Sequence, residues 1–155
     1  MIEQLHRDPT LRVASHGPLL LVAWRDAPTE DQMRTIGRLA RSFARTHRNM
    51  HALWNAILSG TPSFSEGVRR ELNAQTGDPS MQGQATAHVV LVDGFKGAAT
   101  RGFLAAAALA TRPKTPTKVF GEVTPAARWI AERISSVASA PDAALIERLH
   151  AALIE

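Results

Sequence analysis

The sequence "ATAHVVLVDGFKGAATRGFLAAAALATRP", residues 85–113, contains the clearest alternation of secondary structure in the chain. The apolar run 85–92 is short enough to predict a buried strand. The turn "DGFKG", 93–97, ends this strand, and a helix is predicted from about 98 to 111, before Pro113. A strand joined to a helix by a short turn indicates an α/β protein.

The same alternation continues on both sides of this unit. Before it, residues 51–58 predict a buried strand, and a helix begins near Phe64 with apolar residues four positions apart. After it, residues 117–123 predict a strand, and the next helix begins with Thr124 at its N-cap and Pro125 at its first position. A last amphipathic helix is predicted from Asp142.

The segment nearest the start predicts a hairpin followed by a helix. Residues 11–15 and 19–25 flank "HGP" and have the pattern of two short strands. Thr29 with Gln32 three residues later predicts the start of a helix that ends near Arg48. The predicted order is therefore β-β-α-β-α-β-α-β-α-α.

This order predicts an α/β fold with a mixed, mainly parallel sheet, an N-terminal hairpin and helices packed on the sheet. We expect residues 1–137 to form this domain. Residues 138–155 would add an amphipathic helix that packs on it or mediates dimerisation, which leaves a homodimer open.

Composition excludes several classes of chemistry. The 155 residues suit one domain, and 45% hydrophobic with 21% charged residues is typical of a globular protein. Cysteine is absent, which excludes disulfides, thiol nucleophiles, thiolate metal sites and iron–sulfur clusters. No apolar run approaches the roughly 20 residues that span a bilayer, and no secretory signal opens the chain. We therefore expect a cytoplasmic protein without a membrane span.

The loop "SGTPSFSEG", 59–67, concentrates hydroxyl groups between a predicted strand and a predicted helix. Ser63 precedes Glu66 by three residues, which is the spacing of a capping box. The free amides at a helix start would also bind a phosphate group. The loop thus has two interpretations, a helix start or a phosphoacceptor and partner surface, and its candidate residues are Ser59, Thr61, Ser63 and Ser65.

Five arginines recur at steps of four, three, four and three along the first predicted helix. Such a basic stripe could bind an acidic protein surface, nucleic acid or anionic lipid, although a solvated helix face is the simpler interpretation. No set of stacking aromatic residues alternates with the arginines and tyrosine is absent, which argues against nucleic acid. The stripe consists of Arg34, Arg38, Arg41, Arg45 and Arg48.

A second candidate loop, for a small ligand, lies at Asp93, Gly94 and Lys96. It follows a strand, where open α/β sheets commonly place ligands, although Asp93 also suits a simple turn. The histidines suggest no metal site, and we expect His88 to be a core residue. No catalytic motif is present, so we expect a protein that is not an enzyme and that carries no metal or cofactor.

The element order and the hydroxyl-rich central loop resemble the STAS domain of anti-sigma-factor antagonists and anion-transporter tails, the SpoIIAA-like fold. The resemblance covers roughly residues 10–137, and the segments 89–113 and 118–130 are similar to strand-and-helix units of that family. The family's central loop carries an Asp-Ser-Ser-Gly-like sequence whose serine receives phosphate from a kinase. Here the matching loop has no aspartate and contains a proline.

The resemblance implies a non-enzymatic regulatory module that binds a protein partner, such as a kinase or another signalling protein. Phosphorylation of Ser63 or Ser65 would control it. The alternative is a small-molecule or lipid-binding module of similar design, which would use the crevice between "SGTPSFS", 59–65, and "DGFKG", 93–97.

Overall fold

A single sheet organises the molecule, whose computed structural model describes residues 2–60 and 64–155. Across these residues six strands lie side by side in the same order as in the chain. Their bounds are β1 Glu3–Arg7, β2 Leu11–His16, β3 Leu19–Trp24, β4 Ala52–Ile57, β5 Ala85–Val90 and β6 Thr117–Phe120.

The sheet is antiparallel at one side and parallel over the rest. β2 and β3 form an antiparallel hairpin through Gly17, whose φ of 52° suits glycine. β3, β4, β5 and β6 are all parallel neighbours. The predicted α/β class and mainly parallel sheet with an N-terminal hairpin are therefore confirmed.

β1 adds an edge strand that the sequence did not predict. It pairs antiparallel with β2, and its register shifts between Gln4 and His6. The strand has no fully buried residue, so "EQLHR" lacks the apolar alternation by which the other strands were recognised. Its position depends on pairing with β2 rather than on burial.

Five helices cover the two faces of the sheet in the described part of the chain. They are α1 Glu30–Thr46, α2 Glu66–Thr76, α3 Gly94–Thr111, α4 Val123–Arg133 and α5 Ala143–Ile154, and a single 3₁₀ turn spans Pro79–Met81. α1, α2 and α3 connect parallel strands and lie on one face, whereas α4 and α5 pack on the other. α5 contacts β2, β3 and α4.

The α4/α5 face is packed closely around one tryptophan. Trp54 of β4 is fully buried, and most of its neighbours on this face of the sheet are alanines. Because alanines leave room, α4 and α5 approach the sheet directly and bury Ile130, Ile134 and Ile146 completely.

In the described residues no helix is both long and apolar enough to cross a membrane.

Several helix boundaries differ from the predicted ones. α1 ends at Thr46, so Arg48 lies beyond the helix, with a φ of 52°. α4 begins at Val123 with Glu122 as N-cap, and the prediction that Thr124 caps it is wrong.

The starts of α2 and α3 also differ. Ser65 is the N-cap of α2 and accepts a hydrogen bond from Val68 N, whereas Ser63, for which a capping box is predicted, lies outside the described residues. α3 begins at Gly94, about four residues earlier than predicted, and "DGFKG" supplies its cap and first turn. A Cβ at Gly97 would lie 1.7 Å from the Val92 carbonyl oxygen, so only glycine permits this close start.

Candidate ligand cavity

Two adjoining cavities lie between the sheet and the layer formed by α1, α2 and α3. Their volumes are about 140 Å³ and about 110 Å³. The first extends toward the amino ends of β4 and β5, and the second toward the carboxyl ends of β3 and β4. They share six lining residues: Ile36, Leu53, Leu72, Gln75, His88 and Leu104.

The space exists because α3 contributes few large side chains on its inner face. The first cavity is lined by Ala107, Ala108 and Thr111 of α3, and the second by Thr100. Leu104 is the one large apolar residue that α3 buries completely among the described residues. A helix of small residues leaves a gap where bulkier side chains would complete the core.

Three polar side chains form a hydrogen-bonded line across the floor of the cavities. Asn55 and His88 are direct partners in the parallel register of β4 and β5, so their side chains leave the same face of the sheet. Trp24 Nε1 donates to Asn55 Oδ1 at 2.9 Å, and Asn55 Nδ2 lies 2.9 Å from His88 Nδ1. Sequence analysis placed His88 in the core but missed its connection to Trp24 and Asn55.

His88 lies at the junction of the two cavities. It lines both cavities and is half-buried. Burial nevertheless lowers the pKa of His88 to about 4, because a charged ring would lose most of its hydration there. The imidazole is therefore neutral near pH 7.

No lysine or arginine lines either cavity among the described residues. Two acidic residues do, Asp26 and Asp78. Arg41 Nε donates to Asp78 at 2.9 Å, and this hydrogen bond is the main reason why the pKa of Asp78 falls to about 2. The lining thus combines a mostly apolar surface with a neutral imidazole and no cation.

His51 is a second buried histidine, at the amino-end side of the first cavity. Its ring lies edge-on to Phe43, with centroids 5.6 Å apart, and its Nδ1 has no hydrogen-bond partner among the described residues. Burial lowers the pKa of His51 to about 4, with a smaller contribution from His47. This histidine is held neutral by its environment.

The candidate phosphoacceptor loop contributes in part to the second cavity. Ser59 lines it, and its hydroxyl donates to the Arg25 carbonyl oxygen. Phe64 also lines it and stacks on Phe103 at a centroid distance of 4.7 Å. Ser65 is exposed at the N-cap of α2, whereas Thr61 and Ser63 lie outside the described residues.

The candidate loop of Asp93, Gly94 and Lys96 lies outside both cavities. All three residues are exposed, and the Asp93 side chain makes no capping hydrogen bond. α3 reaches the second cavity through Thr100 and Leu104 instead. The crevice expected between the two loops includes residues 61–63, which lie outside the described residues, and stays a prediction.

The five arginines of the basic stripe are all exposed, but two of them are paired with acidic residues. Arg34 donates to Glu30 at 2.7 Å and to Asp31 at 2.6 Å, and Arg41 pairs with Asp78. Arg38 and Arg45 complete the part of the stripe on α1, and Arg48 follows it. Pairing therefore reduces the positive charge of this surface.

No family model, curated protein or solved structure matches this chain. In the part that the structure describes, no three histidine, aspartate or glutamate side chains gather into a possible metal site. The cavities are therefore the main structural indication of a function, and the resemblance to STAS domains stays a prediction.

Proposed function

We propose that this protein is a cytoplasmic, non-enzymatic module that binds a small, mostly apolar molecule in the two adjoining cavities. The observation that carries the proposal is a mostly apolar space, of about 140 and 110 Å³, whose floor holds the hydrogen-bonded side chains of Trp24, Asn55 and His88. Binding sites for small molecules have this character, and a dry apolar cavity of about 150 Å³ accommodates a benzene-sized molecule.

The contacts of the polar groups support binding rather than catalysis. An activated serine or threonine needs a histidine within hydrogen-bonding distance, and no described hydroxyl bonds to His88. Its Nδ1 faces an amide rather than the carboxylate that orients a catalytic imidazole. Ser59 donates to a backbone carbonyl.

Native mass spectrometry of the purified protein tests this function. We expect a bound small molecule whose occupancy falls when Ala107→Leu fills the first cavity. Ala106→Leu is the matched control, because Ala106 is the preceding residue of α3 and is exposed. If no small molecule is bound, and no apolar fragment raises the melting temperature, the proposal is wrong.

A second candidate function is the regulatory STAS-like module that binds a protein partner. It is supported by the exposed Ser65 at the N-cap of α2, with the exposed Arg69 and Arg70 in the following turn. A phosphate group there would meet the positive end of the helix and nearby guanidinium groups. Phosphorylation at Ser63 or Ser65, a kinase or other signalling partner and a homodimer all remain proposals.

Affinity purification from the native cells tests the second candidate. We expect Ser65→Asp to change the set of bound proteins, and Ser42→Asp, an exposed serine within α1, to leave it unchanged. A kinase extract that phosphorylates the protein only at other residues would exclude the phosphoacceptor.

A further inference from the structure

The donor and acceptor roles along the floor of the cavities are fixed by Trp24. An indole nitrogen only donates, so the atom of Asn55 that faces it at 2.9 Å must be the carbonyl oxygen. The NH₂ group of Asn55 then necessarily faces His88. This assignment of the amide needs no assumption about His88 itself.

The orientation of Asn55 in turn fixes the tautomer of His88. An NH₂ group donates, so Nδ1 of His88 has to accept at 2.9 Å and carries no proton. A neutral imidazole then has its proton on Nε2. Trp24 and Asn55 therefore act as positioning residues that make His88 Nε2 a donor.

The Nε2–H group is available to a ligand. His88 lines both cavities, and within residues 2–60 and 64–155 its Nε2 has no hydrogen-bond partner. The lowered pKa agrees with the neutral form deduced from the geometry. A polar donor in a mostly apolar cavity discriminates between ligands, because a molecule without an acceptor leaves it unpaired.

The charges of the lining further restrict the ligand. A carboxylate would enter a buried space whose described lining has no cation, and burial of an unpaired charge is costly. A cation would find no unpaired buried carboxylate in the described lining, since Asp78 is paired with Arg41 and Asp26 is exposed. An uncharged molecule avoids both penalties.

Building on the ligand-binding function proposed above, we infer that the bound molecule is uncharged and presents a hydrogen-bond acceptor to His88 Nε2–H. A ketone, ester or amide carbonyl oxygen on a compact apolar body has this chemistry. The two cavities meet at His88, so the acceptor lies near the junction and the apolar parts extend from it.

Four probes with the same number of non-hydrogen atoms test this selectivity: acetophenone, indene, indole and benzoate. Acetophenone offers only an acceptor, indene offers neither group, indole offers a donor and benzoate is an anion. We expect acetophenone to bind about fivefold to tenfold more tightly than the other three, the effect of one net hydrogen bond. Titrations monitored by nuclear magnetic resonance would give the dissociation constants.

His88→Phe is the informative variant, since it keeps a ring and removes the donor. We expect it to bind acetophenone and indene equally. Thr86→Val is the matched control. Thr86 lies on the same strand and lines the first cavity, and its replacement by valine also removes a hydrogen-bond donor, the hydroxyl group. It should keep the preference for acetophenone.

Nitrogen-15 chemical shifts of the wild-type His88 ring give a readout that needs neither a variant nor a ligand. We expect the proton on Nε2. A proton on Nδ1 would overturn the donor assignment. Equal binding of acetophenone and indene to the wild type would overturn the selectivity but leave the ligand-binding function intact. Failure of all four probes to bind would count against that function and the selectivity together.

Discussion

At the scale of single residues, three histidines with lowered pKa values make the folded protein sensitive to acid. Burial lowers the pKa of His51 and His88 to about 4, and it also lowers that of His150. Trp54 Nε1 donates to His150 Nδ1 at 3.3 Å, so this ring is likewise an acceptor at Nδ1. The unfolded chain takes up protons on these histidines near pH 6.5, whereas folded His51 and His88 do so only near pH 4, so stability falls as the pH drops through this interval.

His51→Leu should remove part of this acid sensitivity. The variant replaces a buried ring with an unpartnered Nδ1 by an apolar side chain. We expect the free energy of unfolding of the variant, minus that of the wild type, to be about 2 kcal/mol larger at about pH 5 than at about pH 7.5. Urea denaturation at the two pH values measures this. If the variant and the wild type differ in stability by the same amount at both pH values, His51 has the same pKa in the folded and unfolded chains.

Asp8 should have the opposite dependence on pH. Burial raises its pKa, but hydrogen bonds from His6, Gln32 and the amides of Thr10 and Leu11 outweigh this effect and hold it well below the usual 3.8. The folded form prefers the carboxylate, so its stabilisation is complete above about pH 4 and is lost as the pH falls further.

We expect Asp8→Asn to cost about 1–2 kcal/mol at neutral pH, because an amide oxygen and NH₂ cannot replace four accepted hydrogen bonds. Near pH 3 the cost should shrink, because the Asp8 carboxyl of the unfolded wild-type chain is then mostly protonated and folding has to remove that proton. Chemical denaturation at both pH values provides the measurement. A cost that grows in acid would contradict the assigned hydrogen bonds.

At the scale of elements, α3 is attached to the sheet along a narrow line. It buries Gly97, Thr100 and Leu104, whereas Phe95 and Leu109 are 88% and 79% exposed. Most of its remaining residues are alanines, whose high helix propensity supports the helix without deep packing. The element that bounds the cavities therefore has few contacts to lose.

Truncation of a buried and of an exposed leucine of α3 should have different effects on stability. Leu104→Ala should cost about 2–4 kcal/mol and enlarge both cavities, because Leu104 is buried and lines both. Leu109→Ala should change stability by less than about 0.5 kcal/mol. Thermal unfolding followed by circular dichroism compares them. Equal losses would mean that α3 packs differently.

The same elements show where sequence reasoning succeeds and where it stops. The start of α1 is predicted correctly because Thr29 and Gln32 interact locally, and both halves of their capping box are present. The start of α3 depends on the contact between Gly97 and the Val92 carbonyl, which no propensity reveals. β1 was missed because an exposed edge strand has no apolar period.

The candidate site was beyond sequence reasoning for a related reason. Trp24 and Asn55 are 31 residues apart, and Asn55 and His88 are 33 apart. They meet only through the register of three parallel strands. The apolar pattern of the sequence identifies each strand, but the register that aligns Asn55 with His88 is set by the whole sheet.

At the scale of the whole molecule, the two faces of the sheet have different roles. The α4/α5 face is filled by Trp54 and closely packed alanines, whereas the α1–α3 face retains space around His88. One face is therefore closely packed, while the other retains the space in which we propose that a ligand binds. We expect the closely packed α4/α5 face to hold the strands that carry Asn55 and His88 in place, and so to fix the orientation of these two side chains.

The sheet has an edge at β1 and another at β6, and each carries charge. Glu3 and Arg7 are exposed on β1, whose pairing with β2 is interrupted by the register shift. β6 has four residues and exposes Lys118. Short, charged or irregular edges are poor templates for a strand from another molecule.

The irregular β1 edge therefore bears on solubility during storage and expression. Replacing Glu3 and Arg7 by valine should leave the fold intact but give an apolar, strand-forming border that recruits other copies. We expect light scattering to rise on concentration, and the matched replacement of both residues by threonine to scatter less, because it keeps strand propensity without the apolar surface. Two exposed charges on one border strand would then set the concentration that the protein tolerates before it aggregates.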